Sequence, residues 1–232
     1  MEMEHVEGKK WKYWDHATNT YGYRTFDHVK ELNSFWEYDF FYKELYYFND
    51  SPKNCCYQMW DCVIEPGSVV VDLGANIGLF AHGASKIAKK VIAVEGSPEN
   101  YSCLVENSSD RDNIYFCNSI VTGETPGATE DLISLGRVWT DRKNPIEFTI
   151  KKIMEIYQLE KIDFLKIDIE GFEYEVFDSL SPSILSRIDK ISCETHDPVR
   201  NENLHLHGKI KSTFRSIEGG HVTDFVYFTT PK

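Results

Sequence analysis

"SVVVDLGANIGLF", residues 68–80, runs three valines into an aspartate, a leucine and a glycine. The β-branched run reads as a short buried strand. Glycines at 74 and 78 allow a tight turn and let backbone approach a ligand where a helix begins. Next, "IGLFAHGASKIAKK" (77–90) reads as a helix with Leu79, Phe80, Ala84, Ile87 and Ala88 on one side. "VIAVEG" (91–96) is then a second buried strand. Strand, glycine turn, helix and strand make a βαβ unit, and a βαβ unit implies a parallel sheet.

The pattern continues outward. "SPENYSCLVENS" (97–108) is a helix with Ser97 as N-cap and Pro98 at its first position. Further strands are expected at 113–121, 162–169, 190–196 and 223–230, with helices at 149–160, 170–180 and 202–217. Residues 122–148 read as loop and short hairpin. Near-continuous apolar strands alternating with helices predict an α/β fold whose mostly parallel sheet is covered on both faces. Ligands of such sheets sit beyond the carboxyl ends of the strands, where the strand order switches.

Those strand ends are polar. Glu95 closes the second strand, 23 positions after Asp72, where a carboxylate suits the two hydroxyls of a ribose. Asn76 stands where the dinucleotide fingerprint needs glycine, which disfavours a nicotinamide-dependent oxidoreductase. "IDFLKIDIEGFEYEVF" (162–177) carries Lys166 and Asp168 within a buried strand, and "KISCETH" ends in Glu194 and His196 with Asp197 next.

"VVVDLGANIGLF", "VIAVEGSPENYSCLVEN" and "IDFLKIDIEGFEYEVF" together resemble the three core motifs of the FkbM family of S-adenosylmethionine-dependent methyltransferases. The resemblance covers roughly residues 66–196 with the motifs in family order. It implies the class I, Rossmann-like methyltransferase fold, a seven-stranded sheet with one antiparallel strand. It also implies methylation of a hydroxyl on a sugar, glycan or small natural product. By the same resemblance, Asp72, Gly74, Asn76 and Gly78 line the methionine end of the cofactor, and Glu95 takes the ribose hydroxyls. Gly96 and Ser97 flank the adenosine, and Asn118 and Ser119 lie near the adenine edge. The family often has proline where this chain has Gly96.

Methyl transfer from a sulfonium is an in-line displacement. It needs placement of the nucleophile and removal of its proton. Adjacent parallel strands would bring Asp168, Glu194 and His196 to one rim. In the preferred reading His196 is the general base, oriented by Asp168 or Glu194. In the other, Asp168 and Glu194 hold a divalent metal such as Mg²⁺ that acidifies a diol. Asp168 also has a plain alternative as a cap on neighbouring backbone. Lys166 reads as structural, either paired with a carboxylate on the neighbouring strand or reaching solvent past the sheet edge. Glu170, Glu173 and Glu175 read as an acidic first turn that complements the helix dipole. "HLH" at 205–207 reads as surface, since a helix turns i and i+2 apart.

The front of the chain has a different character. Residues 1–65 are rich in aromatics, among them Trp11, Tyr13, Trp14, Tyr21 and Tyr23 and the run from Phe35 to Phe48. They are expected to form a helical cap that packs on the methyltransferase domain of 66–232 and walls the acceptor site. A stripe of exposed aromatics there would mark a homodimer surface. Net charge is −12, which argues against a nucleic-acid partner. An RNA or DNA methyltransferase and a non-catalytic nucleotide-binding module are the competing readings. No apolar run approaches a membrane span, and the acidic N-terminus lacks a secretory pattern, so the expected location is cytoplasmic. The six cysteines show no metal-type spacing.

Overall fold

The computed structural model describes residues 57–123, 147–195, 197–218 and 221–231, and the strands within 3–25. Three strands, β1 (Met3–Glu7), β2 (Lys10–Asp15) and β3 (Thr20–Thr25), form a small antiparallel sheet. The main domain then runs β4 (Val69–Leu73), α1 (Leu79–Ser85), β5 (Lys90–Val94), α2 (Pro98–Asn107), β6 (Ile114–Cys117) and β7 (Ile120–Val121). After residue 146 come β8 (Glu147–Phe148), α3 (Ile150–Ile156), β9 (Ile162–Ile167), α4 (Glu173–Ser179), α5 (Pro182–Leu185) and β10 (Ile188–Thr195). The chain closes with α6 (Pro198–Asn203), β11 (Ile210–Glu218) and β12 (His221–Thr229).

Seven strands form the main sheet in the order β11-β12-β10-β9-β4-β5-β6. β10, β9, β4, β5 and β6 are mutually parallel, while β12 runs antiparallel to both β10 and β11. β4 is the first strand of this sheet and lies inside it, between β9 and β5. The chain moves outward from it through β5 to β6, then returns to its other side with β9. The order therefore switches at β4, and the crevice beyond its carboxyl end is where a ligand belongs.

Alternation along each strand builds two cores. Val71, Leu73, Ile92, Val94, Leu165, Ile167, Ile191 and Cys193 face one side, against α3, α4 and α5. Val70, Val91, Ala93, Phe164, Phe225 and Tyr227 face the other, against Phe80, Ala81 and Ala84 of α1 and Leu104 of α2. Tyr57, Cys62 and Ile64 belong to this second core, so the sheet domain's packing begins before Pro66. The described cysteines Cys62, Cys103, Cys117 and Cys193 are free and buried, and burial pushes the Cys62 thiol up to about 12. Ser97 caps α2 as its position predicts, its side chain accepting from the Asn100 amide with Pro98 in the first turn.

Two expected elements differ. The helix expected over 202–217 is instead the end of α6 and the edge strand β11. Gly208 takes φ +76 and turns the chain, and Ile210, Thr213 and Phe214, β-branched or aromatic, then favour extended backbone. The front of the helical cap is the small sheet, and Trp11, Tyr13, Trp14, Tyr21 and Tyr23 lie on its strands. Aromatic residues favour extended backbone, and "TYGYRT" holds a glycine that a helix tolerates poorly. The aromatic run 35–48 lies outside the described residues. No described helix is long and apolar enough to cross a membrane.

Candidate active site

The turn after β4 is set by close packing. Gly74 and Gly78 have φ +78 and +96, and Asn76 between them has φ +51. A Cβ on Gly74 would lie 1.6 Å from the Asp168 carbonyl oxygen, and one on Gly78 would lie 2.7 Å from Leu104 Cδ1. Neither position admits a side chain. The Gly74 and Ala75 amides donate to the Val94 carbonyl at 3.0 and 2.9 Å, which holds the turn against β5.

Glu95 meets this turn from the end of β5. Its Oε2 accepts the Asn76 amide at 2.8 Å and its Oε1 accepts the Ser97 amide at 2.8 Å. Burial raises the Glu95 carboxyl above its ordinary value, and the two amides work in the opposite direction. Each oxygen keeps a second lone pair for a vicinal diol. Asn118 donates from Nδ2 to the Glu95 carbonyl at 2.8 Å, so the end of β6 braces the Glu95–Gly96 loop. Ser119 is buried, with its hydroxyl 3.2 Å from Cys117 Sγ. Asn76 is exposed and Gly96 and Ser97 are half-buried at the open edge.

A buried polar row crosses the sheet beneath that edge. Asp72 lies opposite Lys166, Lys166 opposite Ser192, and Ser192 opposite Tyr227. Lys166 Nζ donates to the Gly74 carbonyl at 2.8 Å and lies 3.2 Å from Asp72 Oδ1 and 3.4 Å from Asp168 Oδ2. The ammonium also sits 4.9 Å from the Tyr57 ring centroid and 5.8 Å from that of Phe80. Asp72 is wholly buried. Desolvation raises its carboxyl, with Lys166 opposing. Of its two expected roles Lys166 takes the first, pairing with the neighbouring strand's carboxylate, and it also ties the Gly74 turn to Asp168.

Asp168 is the first residue past β9, and its amide continues the ladder by donating to the Leu73 carbonyl at 3.0 Å. Its side chain is 22% exposed, at the crevice. Glu194, near the end of β10, is half-buried. The two carboxylates meet at one hydroxyl: Tyr57 Oη lies 2.7 Å from Asp168 Oδ2 and 2.8 Å from Glu194 Oε2. His196 lies outside the described residues. Asp197 caps α6, its Oδ1 accepting the Val199 and Arg200 amides at 3.0 and 3.1 Å.

The trailing glutamates divide. Glu173 is fully buried and its carboxylate accepts the Gly171 amide at 3.0 and 3.1 Å, pinning the turn that follows Asp168. It is a turn clamp rather than part of a solvated acidic face. Glu170 is exposed with φ +51. His205 and His207 are exposed, as expected, although they lie in a loop and turn rather than a helix. Tyr57 is the site residue that the sequence hides, because one tyrosine in an aromatic-rich segment carries no distinguishing pattern.

The donor set fits a nucleoside carrying a cationic methionine. It offers a diol-sized carboxylate at the end of β5, a turn stripped of side chains after β4, and carboxylates along the rim. It fits a dication less well. Among the described residues no group of three or more His, Cys, Asp or Glu side chains is arranged to hold a metal, and Lys166 already lies beside Asp168.

A seven-stranded sheet with one antiparallel strand, a glycine turn after the first strand and an acid closing the second define a class I methyltransferase fold. The chain belongs to the FkbM methyltransferase family, whose domain matches residues 72–218. It is similar to methyltransferase sdnD of Sordaria araneosa, with 25% identity over 205 residues, 70% of this chain and 76% of that protein. Among solved structures, the METTL16 methyltransferase domain matches at a TM-score of 0.50 and 9% identity, over 84% of this chain and 68% of that chain. A putative RNA methyltransferase from Pyrococcus horikoshii matches at 0.41 and 15% identity, over 72% and 74%. These structural likenesses are of fold.

Proposed function

We propose that this methyltransferase uses S-adenosylmethionine to methylate a hydroxyl of a sugar, glycan or small natural product. The observation that carries the reading is the carboxylate pair, Asp168 and Glu194, joined through Tyr57 beside the Gly74 turn. A hydroxyl must lose its proton as it is methylated, and carboxylates at the rim supply an acceptor for it. The chain's net charge of −12 favours a neutral acceptor over a polyanion.

Glu95 would hold the ribose, with Gly96 and Ser97 beside the adenosine and Asn118 and Ser119 toward the adenine. Gly74, Asn76 and Gly78 would line the methionine end, and Asp72 would fix that turn from beneath through Lys166. Bound there, S-adenosylmethionine supplies an electrophilic methyl group on a sulfonium. Asp168 orients the acceptor hydroxyl and takes its proton. Glu194 shares that role, and His196, the residue after β10, is the further candidate base. The Lys166 ammonium lies 3.4 Å from Asp168 Oδ2, so a fixed cation faces that carboxyl group.

The test is transfer from methyl-labelled S-adenosylmethionine to hydroxyl-bearing probes. Asp168→Asn is expected to lower transfer about 100-fold with S-adenosylhomocysteine binding intact. Label recovered on nitrogen, on carbon or on RNA would overturn the hydroxyl reading.

A further inference from the structure

We propose that Tyr57 is a positioning residue that joins Asp168 and Glu194 into one proton-accepting unit, so the segment before the matched domain completes the active site. The inference rests on the hydroxyl-acceptor reading above. Tyr57 precedes residue 72, where the family match begins, and nothing in that match assigns it a role.

The phenol is immobilised. Its ring meets Phe80 edge-on at 5.6 Å and Phe225 edge-on at 5.5 Å, from opposite parts of the second core. The Lys166 ammonium lies 4.9 Å from its centroid. Only 2% of the residue is exposed. Such a ring delivers its hydroxyl to one place, and that place holds two carboxylate oxygens, 2.7 and 2.8 Å away.

A phenol has one proton to donate and two acceptors facing it. A hydroxyl kept only to satisfy burial needs one acceptor. Here the proton can be donated to either carboxylate, and the phenolic oxygen can accept from the other. Asp168 is one end of this chain, partly exposed beside the Gly74 turn, and Glu194, on the next strand, is the other. Among the described residues, the charged groups linked to the hydroxyl are Asp168 and Glu194 directly, and Lys166 and Asp72 through Asp168. The two carboxyl groups that face the phenol, Asp168 and Glu194, are the oxygens between which a proton can move.

The step balances. The acceptor oxygen bonds the methyl carbon, leaving the C–S electron pair on sulfur, and its O–H proton goes to Asp168. Asp168 passes a proton to the Tyr57 oxygen while Tyr57 donates its own to Glu194. One proton moves from acceptor to Glu194, the phenol ends unchanged, and nothing is oxidised or reduced.

Tyr57→Phe removes the hydroxyl and keeps the ring contacts. The experiment compares it with wild type by thermal melting, by calorimetric binding of S-adenosylhomocysteine, and by transfer from labelled S-adenosylmethionine to methyl glucoside, methyl rhamnoside and catechol. The expected result is a folded variant with unchanged S-adenosylhomocysteine affinity and unchanged acceptor KM, and with kcat lower by about 100-fold. Wild-type kcat in the variant overturns the proposal while leaving the hydroxyl reading intact. A parallel loss of S-adenosylhomocysteine binding also overturns it, since Tyr57 would then be structural. A wild type that binds S-adenosylhomocysteine yet methylates none of the probes counts against the hydroxyl reading and takes this proposal with it.

Discussion

Gly74 is the residue at which the ends of β4 and β9 meet beside the carboxylates of the crevice. Its missing side chain makes room for the Asp168 carbonyl, and its own carbonyl receives Lys166. Gly74→Ala must therefore push the β4 and β9 ends apart while adopting a φ of +78 that an L side chain resists. It is expected to cost at least about 1–2 kcal/mol from the backbone alone, read by urea unfolding, and to weaken S-adenosylhomocysteine binding with it. Lys166 shows the same coupling through charge. Losing it would leave Asp72 buried and uncompensated, which is worse than never having had the pair. At this scale the glycine turn and the strand-final acid were legible, because glycine spacing and a carboxylate closing a strand are local signals. Tyr57 was not legible, because its meaning lies in a contact across 111 and 137 positions of chain. Glu173 and Glu175 do stand in the first turn of α4, as the sequence reads, but the burial of Glu173 against Gly171 was not legible because it depends on how the turn folds.

Elements were legible where local and tertiary preferences agree. The run from β4 through α2 followed its sequence pattern because valine-rich strands, the glycine turn and the Ser97–Pro98 start all favour one structure. The cap is testable there. Ser97→Ala removes the acceptor for the Asn100 amide, and the expected loss is about 1 kcal/mol, measured by thermal or urea unfolding. Ser97 also presents its amide to Glu95, and that backbone contact survives the substitution. β11 was misread as helix because an edge strand has weak demands on its side chains. Ile210 and Phe214 remain exposed, so its apolar positions do not report a buried face. Its place is set by pairing with β12 along its whole length, a non-local fact.

The whole molecule is a sheet that gathers its charges at one edge and ties down the rest. Asp224, on β12, shows the second half. It is held by Arg215 from β11 through two contacts at 2.6 and 2.7 Å, and that hydrogen bonding lowers its carboxyl below the ordinary value of 3.8. A folded-state value below the unfolded one adds stability that is full above 3.8 and drains away as pH falls through the folded value. Asp224→Asn is expected to be less stable near neutrality, with the difference from wild type shrinking at acid pH in urea unfolding. Asp72 and Glu95 run the opposite way, because burial raises both, and their buried charge is a cost carried by the site. The most direct measurement is calorimetric titration of S-adenosylhomocysteine into wild type and Glu95→Ala. The account predicts one site per chain in the wild type and an affinity about 10-fold or more weaker in the variant, as a hydrogen-bonded charge lost from a diol commonly costs. A wild type that binds no S-adenosylhomocysteine would contradict it.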